Sequence, residues 1–550
     1  MSPRRRTAPA RLAALALACV LAPAPHPAAA QDCGSVVIPT GIGISAGADI
    51  TSFNPLLANS LYNTAAAGMM FEGLIWINGR TLQIDWPRSL ATSITPSANG
   101  EVYDVKLRPW HWSDGVPVTA DDVAYTFNLI KALGPSYAGY GAGGMPDIVQ
   151  SLTVLGPEEF RVTLKRPVNP QWYIYNGLSL LLPLPRHAWS RFTLDQIFQS
   201  QSEPGFFQVV DGPLRPQRLD IGQDLVMTPN PRWEGPPLHL SRLVWKFVEG
   251  DGAALQQVES GELDMANAPM GLWNAVQHLP GIRLISLPPG LSYDEIELNL
   301  RNPRAAFFRD VRVRQAMADA MNQREMIALI DHGHGQEIRA PIPPQPPTYL
   351  PPAMQAGQYP VGYDPQKAIS LLQQAGFSRG PDGIMRRQGQ RLSFTYLSLA
   401  GNAGSAQMTV MVQDYLRRVG IEMKVREIEF NQLVALLNNP HGDWEAAGLG
   451  ETISAYPTGE DLFGTGAFAN AGGYSDPEMD RLIAQSTDQP GLQGLYDYAT
   501  YASAQQPVIF MPVGSATILA RARIRGVEDF VDPVYNYYPD KLYCPEAAAP

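Results

Sequence analysis

Four groups of residues in this chain have types and spacings that could do chemistry. Gly43-Ile44-Ser45-Ala46-Gly47 has the G-x-S-x-G spacing of a serine nucleophile on a sharp strand-to-helix turn. That chemistry needs a helix directly after the serine, and residues 48–55 carry no helical pattern. His332-Gly333-His334 offers two imidazoles, but no cysteine or carboxylate stands at ligand spacing beside them, so they read as a surface turn rather than a metal site. Asp121 and Asp122 form a carboxylate pair, yet they follow Thr119 at the head of an apolar-periodic run. Capping and the helix dipole account for them there. Gly141-Ala142-Gly143-Gly144 is not followed by a helix and reads as a mobile loop. No H-E-x-x-H, phosphate-loop or dinucleotide glycine pattern occurs. The expectation is a protein without catalytic residues, metal or cofactor.

The elements around these residues read as mixed α/β. Residues 101–108 (EVYDVKLR) and 159–165 (EFRVTLK) alternate polar and apolar side chains, as half-buried strands do. Between them Thr119 caps a helix with Asp122 three residues on, and Val123, Phe127 and Ile130 share its apolar face. Asp310 caps a second helix whose inner face is Val313, Ala316, Met317, Ala320 and Met321. Asp364-Pro365 opens a third, with Ala368, Leu371, Leu372 and Ala375 inward and Gly376 as the stop. Residues 393–397 and 422–428 are strand-like and flank a helix near 407–419, which predicts an α/β unit with parallel pairing. Residues 36–44 form a short β-like run. The proline-rich stretch 341–352 (PIPPQPPTYLPP) reads as a long extended loop crossing a surface.

The first 30 residues have the layout of a cleavable export signal. Arg4, Arg5, Arg6 and Arg11 precede the apolar run 12–22, and Ala28-Ala29-Ala30 supplies the small residues for cleavage near Ala30. A run of this length is too short to span a bilayer. The mature chain is therefore expected to be exported. The chain carries a net charge of −11 although those four arginines lie in its leader. An acidic surface repels phosphate backbones, so nucleic acid is not an expected partner. Hydrophobic residues at 45% of the 550 supply enough apolar material for several cores, and 49 glycines with 50 prolines call for many turns. Cys19 leaves with the leader. Cys33 and Cys544 then stand at opposite ends, either paired in an oxidising compartment or free as thiols.

One segment is far more specific than these motifs. Residues 107–123 (LRPWHWSDGVPVTADDV) resemble the signature of the family 5 extracellular solute-binding proteins, the peptide- and nickel-binding components of ABC importers. Further blocks resemble that family in the same order. Phe53-Asn54-Pro55 is similar to its L-D-P turn, and Phe71-Glu72-Gly73-Leu74 to its F/Y-E-G-L block. Residues 182–187 are similar to L-P-K-H, and Asp211-Gly212-Pro213 to G-x-G-P-Y. Ser260-Gly261-Glu262-Leu263-Asp264 resembles S-G-E-I-D, and residues 310–324 and 363–377 resemble its two helix-opening motifs. The likeness runs from about residue 36 to about residue 525.

The resemblance implies a two-lobed periplasmic-binding-protein fold (type II-like) with an additional inserted domain. The first lobe would comprise 31–71, 185–289 and 517–550, the inserted domain 72–184, and the second lobe 290–516. Both termini would share a lobe, which favours a Cys33–Cys544 disulfide. The implied function is capture of peptides or peptide-like solutes, as a monomer, for an inner-membrane ABC permease with its ATPase subunits. A secreted hydrolase and a ligand-sensing relative without transport are the alternatives. The resemblance places Leu61, Tyr62, Tyr137, Phe430, Glu451 and Tyr456 at the ligand. The family's amine-holding aspartate falls on Ala455 without a gap, and a small shift would offer Glu451 instead. Trp110 and Trp112 are expected in the core of the inserted domain rather than at the ligand.

Overall fold

The computed structural model describes residues 30–44, 48–58, 60–400, 403–439, 441–467 and 469–545. The expected export signal and Ser45 lie outside the described residues. The chain is mixed α/β, built on several separate sheets. A four-stranded sheet holds Ser35–Pro39, Arg242–Lys246, Asp224–Pro229 and Leu214–Asp220 in that order. Beside it lies a three-stranded antiparallel sheet of Met265–Asn267, Thr517–Arg521 and Ile282–Ser286. A four-stranded antiparallel sheet runs Ala91–Pro96, Val102–Leu107, Glu159–Leu164 and Val149–Gly156, the last two in reverse of their chain order. A five-stranded mixed sheet runs Glu422–Ile428, Ser393–Leu399, Ala446–Thr452, Ser292–Leu298 and Ile509–Met511.

Local sequence accounts for many of these elements. Ala120–Leu133 is helical, with a reciprocal box in which the Thr119 amide donates to Asp122 at 2.9 Å. Val123, Phe127 and Ile130 are buried on its inner face. Asp310 caps Val311–Ala320, and Asp364 caps Pro365–Gln374, which Gly376 ends at a φ of +85°. Ser393–Leu399 and Glu422–Ile428 pair in parallel around the helix Ala403–Val419. The first strand stops at Pro39 rather than at Ile44, because Pro39 lacks a donor and Gly41 turns the chain at a φ of +75°.

The glycine stretch expected to be a mobile loop is instead a packed turn. Gly143 sits at a φ of +56°, and a Cβ there would lie 2.4 Å from the Asn176 carbonyl carbon. The proline-rich stretch is an extended loop broken by short turns at Pro347–Tyr349 and Pro352–Gln355. It leans on the chain around residues 81–171: Thr348 donates to the Thr81 carbonyl at 3.0 Å, and Gln171 donates to the Tyr349 hydroxyl at 3.1 Å.

The two ends of the described chain meet. Cys33 and Cys544 form a disulfide, with Cα atoms 5.1 Å apart across 511 residues of chain. Asp264, in the S-G-E-L-D block, ties the same region together. Its carboxylate accepts two bonds from Arg523 at 2.7 and 2.8 Å and one from the Val37 amide at 2.9 Å. Arg523 also donates to the carbonyls of Cys33 and Ser35. Such planar bidentate pairing is strong where it is shielded from water. Closing so long a loop removes unfolded-chain entropy worth on the order of 6 kcal/mol at most. Replacing both cysteines with serine is expected to lower the unfolding free energy by about 2–5 kcal/mol, measured by denaturant titration with and without reductant. Reductant should have no effect on the double variant.

Candidate functional site

The chain crosses twice between the three-stranded and the five-stranded sheets. It leaves Ile282–Ser286 through Leu287 and Pro288 and enters Ser292–Leu298. It returns from Ile509–Met511 through Val513–Gly514 to Thr517–Arg521. The two crossings are bonded to each other, the Leu287 amide donating to the Ala516 carbonyl at 2.8 Å. Both line a cavity of about 460 Å³ that lies between the sheets. Gly43 and Ile44 reach its other wall, where Asn267 accepts from the Gly43 amide at 2.8 Å. The G-x-S-x-G glycine is thus part of a loop facing this cleft, and the described residues after it, 48–55, form no helix.

Two smaller cavities open from the cleft. One, of about 260 Å³, shares Asp294, Asp331, Gly450 and Gly514 with it. The other, of about 220 Å³, shares Glu451 and Thr452 and is lined also by Glu460, Asp461 and Tyr498. The strand Ala446–Thr452 borders all three. Along one edge it pairs with Ser292–Leu298 over its whole length. Along the other it meets Ser393–Leu399 only at Tyr396↔Ala446 and Leu397↔Ala447. Beyond Leu397 that neighbour diverges and stays paired with Glu422–Ile428. Residues 448–452 therefore present an edge without a strand partner among the described residues, at the carboxyl ends of two parallel strands. Open α/β sheets place ligands at such a point.

Two glycines of this strand permit close approaches. A Cβ at Gly450 would lie 3.0 Å from an Asp294 carboxylate oxygen, and one at Gly448 would overlap the Tyr396 hydroxyl at 2.1 Å.

The cleft is acidic. Among the described residues that line the three cavities there is no Lys, Arg or His. Burial, reinforced by nearby Asp331, raises Asp294 to about 7. Burial raises Asp331 to about 6 against the opposing influence of His332. Burial alone takes Glu451 to about 7. Glu460 also rises to about 7, through burial and then Asp461, although the Trp172 indole donates to it at 3.0 Å. Behind the edge strand, Glu297 accepts from the Gly472 amide at 2.6 Å, and burial beside Glu297 pushes Glu295 well upward.

The sequence-expected residues fall in different places. Leu61 opens the helix Leu61–Gly68 and lines the main cleft. Tyr62 follows it, half-buried against the core. Glu451 lies where the main cleft meets the smaller acidic cavity. Tyr456 is fully buried, accepting from the Asn169 amide group at 2.9 Å and stacking edge-on to Tyr349. Tyr137 is buried in the large core, and Phe430 begins the helix Phe430–Leu437 with its ring 56% exposed. None of these last three lines the cleft or its two branches. Trp112 is fully buried, and Trp110 packs edge-on against Trp233 at 5.6 Å. His332 and His334 pack on the Trp273 ring, and no group of metal-binding side chains occurs among the described residues. Sequence reading missed Asp294, Asp331, Glu460 and Tyr498. The run of acids at 294, 295 and 297 looks like an exposed strand face until the sheet order is known.

A different cavity of about 640 Å³ lies beside Trp110, Trp233 and the C-terminal segment. There Arg88 pairs with Asp540 at 3.0 Å and is sandwiched between the rings of Trp76 and Tyr538. Neither sheet crossing lines it.

Comparison with known proteins agrees with this geometry. A model of the bacterial extracellular solute-binding proteins, family 5, matches residues 87–471. The oligopeptide-binding protein AppA of Bacillus subtilis is 26% identical over 447 residues, covering 78% of each chain. Its structure with a nonapeptide superposes with a TM-score of 0.74 at 23% identity, covering 94% of this chain and all of that one. The substrate-binding protein CtaP of Listeria monocytogenes gives a TM-score of 0.77 at 17% identity over 94% of this chain and all of that one. NikZ of Campylobacter jejuni, solved with Ni(L-His), gives 0.71 at 19%, covering 90% of this chain and 95% of that one. The likeness establishes the fold, two lobes with an additional domain.

The raised carboxyls set a pH dependence. Each binds its proton more tightly in the folded chain than in the unfolded one, so folding takes up protons between about pH 4 and pH 7. Stability from these groups is full at the acidic end and is lost as pH rises through their folded values. The melting temperature of ligand-free protein is expected to fall between about pH 5 and pH 8. Asp294→Asn should flatten that slope and stabilise the protein at the alkaline end by about 1–3 kcal/mol. An unaltered slope would show that Asp294 does not contribute.

Proposed function

This chain belongs to the bacterial extracellular solute-binding proteins of family 5, and from that premise we propose that it captures a peptide or peptide-like solute between two closing lobes. The observation that carries this reading is the unpaired edge at 448–452. An extended ligand must find partners for its own N–H and C=O groups when it leaves water, since each orphan costs about 1–3 kcal/mol. A free strand edge supplies them without reading side chains. The relatives point the same way, since the AppA structure holds a nonapeptide and the DppA structure from Helicobacter pylori holds the peptide STSA.

The lobes are read as 31–71, 185–289 and 517–550 for the first and 290–516 for the second, with 72–184 inserted. The crossings through Leu287 and Ala516 are the hinge. Leu61 and Glu451 contact the ligand from opposite sides. Tyr62 and Tyr456 support the walls, while Tyr137 and Phe430 approach the ligand only as the lobes close. The loaded protein delivers its cargo, unchanged, to an inner-membrane ABC permease with its ATPase subunits, and the mature chain works as a periplasmic monomer after cleavage near Ala30. Binding rather than catalysis is supported by membership of a family of solute-binding proteins.

Native mass spectrometry of the purified mature chain is expected to show a bound peptide-like molecule. Its rebinding should shrink the radius of gyration in small-angle scattering as the lobes close. Gly450→Val crowds Asp294 on the cleft wall and should weaken binding at least about tenfold, with circular dichroism and the melting temperature of the free protein checking that the variant is folded. Release of a chemically altered ligand, or no compaction on binding, would count against capture and delivery.

A further inference from the structure

The smaller acidic branch of the cleft is built like a receptacle for a positive group. A side chain entering it passes Glu451 and Thr452 and runs between Ile453, Pro457 and Leu462. Glu460, Asp461 and Tyr498 also line it. These walls suit an apolar stem carrying a charged tip. Carboxylates clustered in a cleft do not by themselves make a site, but Tyr498 adds an independent observation. Its side chain is fully buried, its hydroxyl abuts the Gly459 wall of this cavity, and it has no hydrogen-bond partner among the described residues. Buried polar groups in folded proteins are nearly always satisfied, so an orphan on a cavity wall marks a place for a ligand atom. The volume of about 220 Å³ admits one side chain, not a second domain or a helix. The rest of the cleft provides no competing anion site, because no Lys, Arg or His lines any of its three parts among the described residues.

We propose that the solute is a cationic peptide, with a lysine- or arginine-like side chain seated in the Glu451, Glu460, Asp461 and Tyr498 pocket. The assignment rests on the reading of the cleft as a peptide-binding site and names the class of peptide it selects. The basic group donates to Glu460 and Asp461 and to the Tyr498 oxygen. Glu451 at the mouth steers it inward, and Asp294 and Asp331 add to the same negative field from the other branch. A glutamate or a free carboxylate in this pocket would meet only like charge.

The test uses the mature protein, stripped of endogenous ligand by unfolding and refolding. It is titrated calorimetrically with short alanine-based peptides that differ only in carrying Lys, Gln or Glu at one scanned position. At one or more positions the Lys peptide is expected to bind at least about tenfold more tightly than the Gln peptide, with the Glu peptide weakest. In Glu460→Gln, which keeps an acceptor for the Trp172 indole, the Lys-to-Gln ratio should collapse toward unity. In Tyr498→Phe it should fall severalfold. Circular dichroism and melting temperature confirm that both variants are folded. Equal affinities for Lys and Gln peptides at every position overturn the cationic assignment and leave peptide capture standing. A Lys preference that survives Glu460→Gln overturns this pocket as its source. Failure of the folded wild-type protein to bind any peptide overturns both the assignment and the reading beneath it.

Discussion

A carboxylate enclosed by protein needs a cation close at hand, and among the described residues none lines this cleft, although His332 acts on Asp331 and Arg166 on Glu460 from behind its walls. That constraint organises the site. Asp294, Asp331, Glu451 and Glu460 all line the connected cavities, and burial holds each above its ordinary range. Two acids of the scaffold are neutralised from within. Asp264 is locked to Arg523, and Asp319 is paired with Lys367 at 2.9 Å. Acids that no lining cation neutralises gather in the cleft, which makes it a favourable place for positive charge. Desolvating a charge costs several kcal/mol unless a partner arrives, so a positive solute gains by closing the cleft around itself.

The scaffold is arranged to permit that closure. Two crossings, bonded through Leu287 and Ala516, are the main-chain routes between the three- and five-stranded sheets. On one side, Asp264, Arg523 and the Cys33–Cys544 bond bind the chain ends into a unit. On the other, the five-stranded sheet leaves residues 448–452 unpaired at the mouth of the cleft. A ligand touching both sides shifts the population toward the closed form by the difference in its contacts with the two forms. The proline-rich loop adds a further brace, because Tyr349 joins Gln171 to Tyr456 across the molecule.

Much of the local architecture was legible in the chain itself. Thr119 with Asp122, Asp310 and Asp364-Pro365 announce helices because a cap is a contact between near neighbours. The alternation in residues 159–165 announces a strand for the same reason. The family blocks could be read because they recur in order along the chain. Asp264 shows the boundary of such reading. Its block was recognisable, but its bond to Arg523 spans 259 residues and had no local signature.

The chain's linear order determined the class of fold, its helices and many of its strands, since propensity, capping and periodicity act over a few residues. Through resemblance it also gave Leu61 and Glu451 as expected ligand contacts, and both line the cavity between the sheets. Tertiary structure alone decided that residues 448–452 have no strand partner on one edge and the Tyr498 hydroxyl no hydrogen-bond partner among the described residues, and that Asp294 and Glu460 line connected cavities. Those properties depend on which distant strands become neighbours and which surfaces lose water. Burial and charge balance are properties of the assembled cleft, not of any segment that forms it.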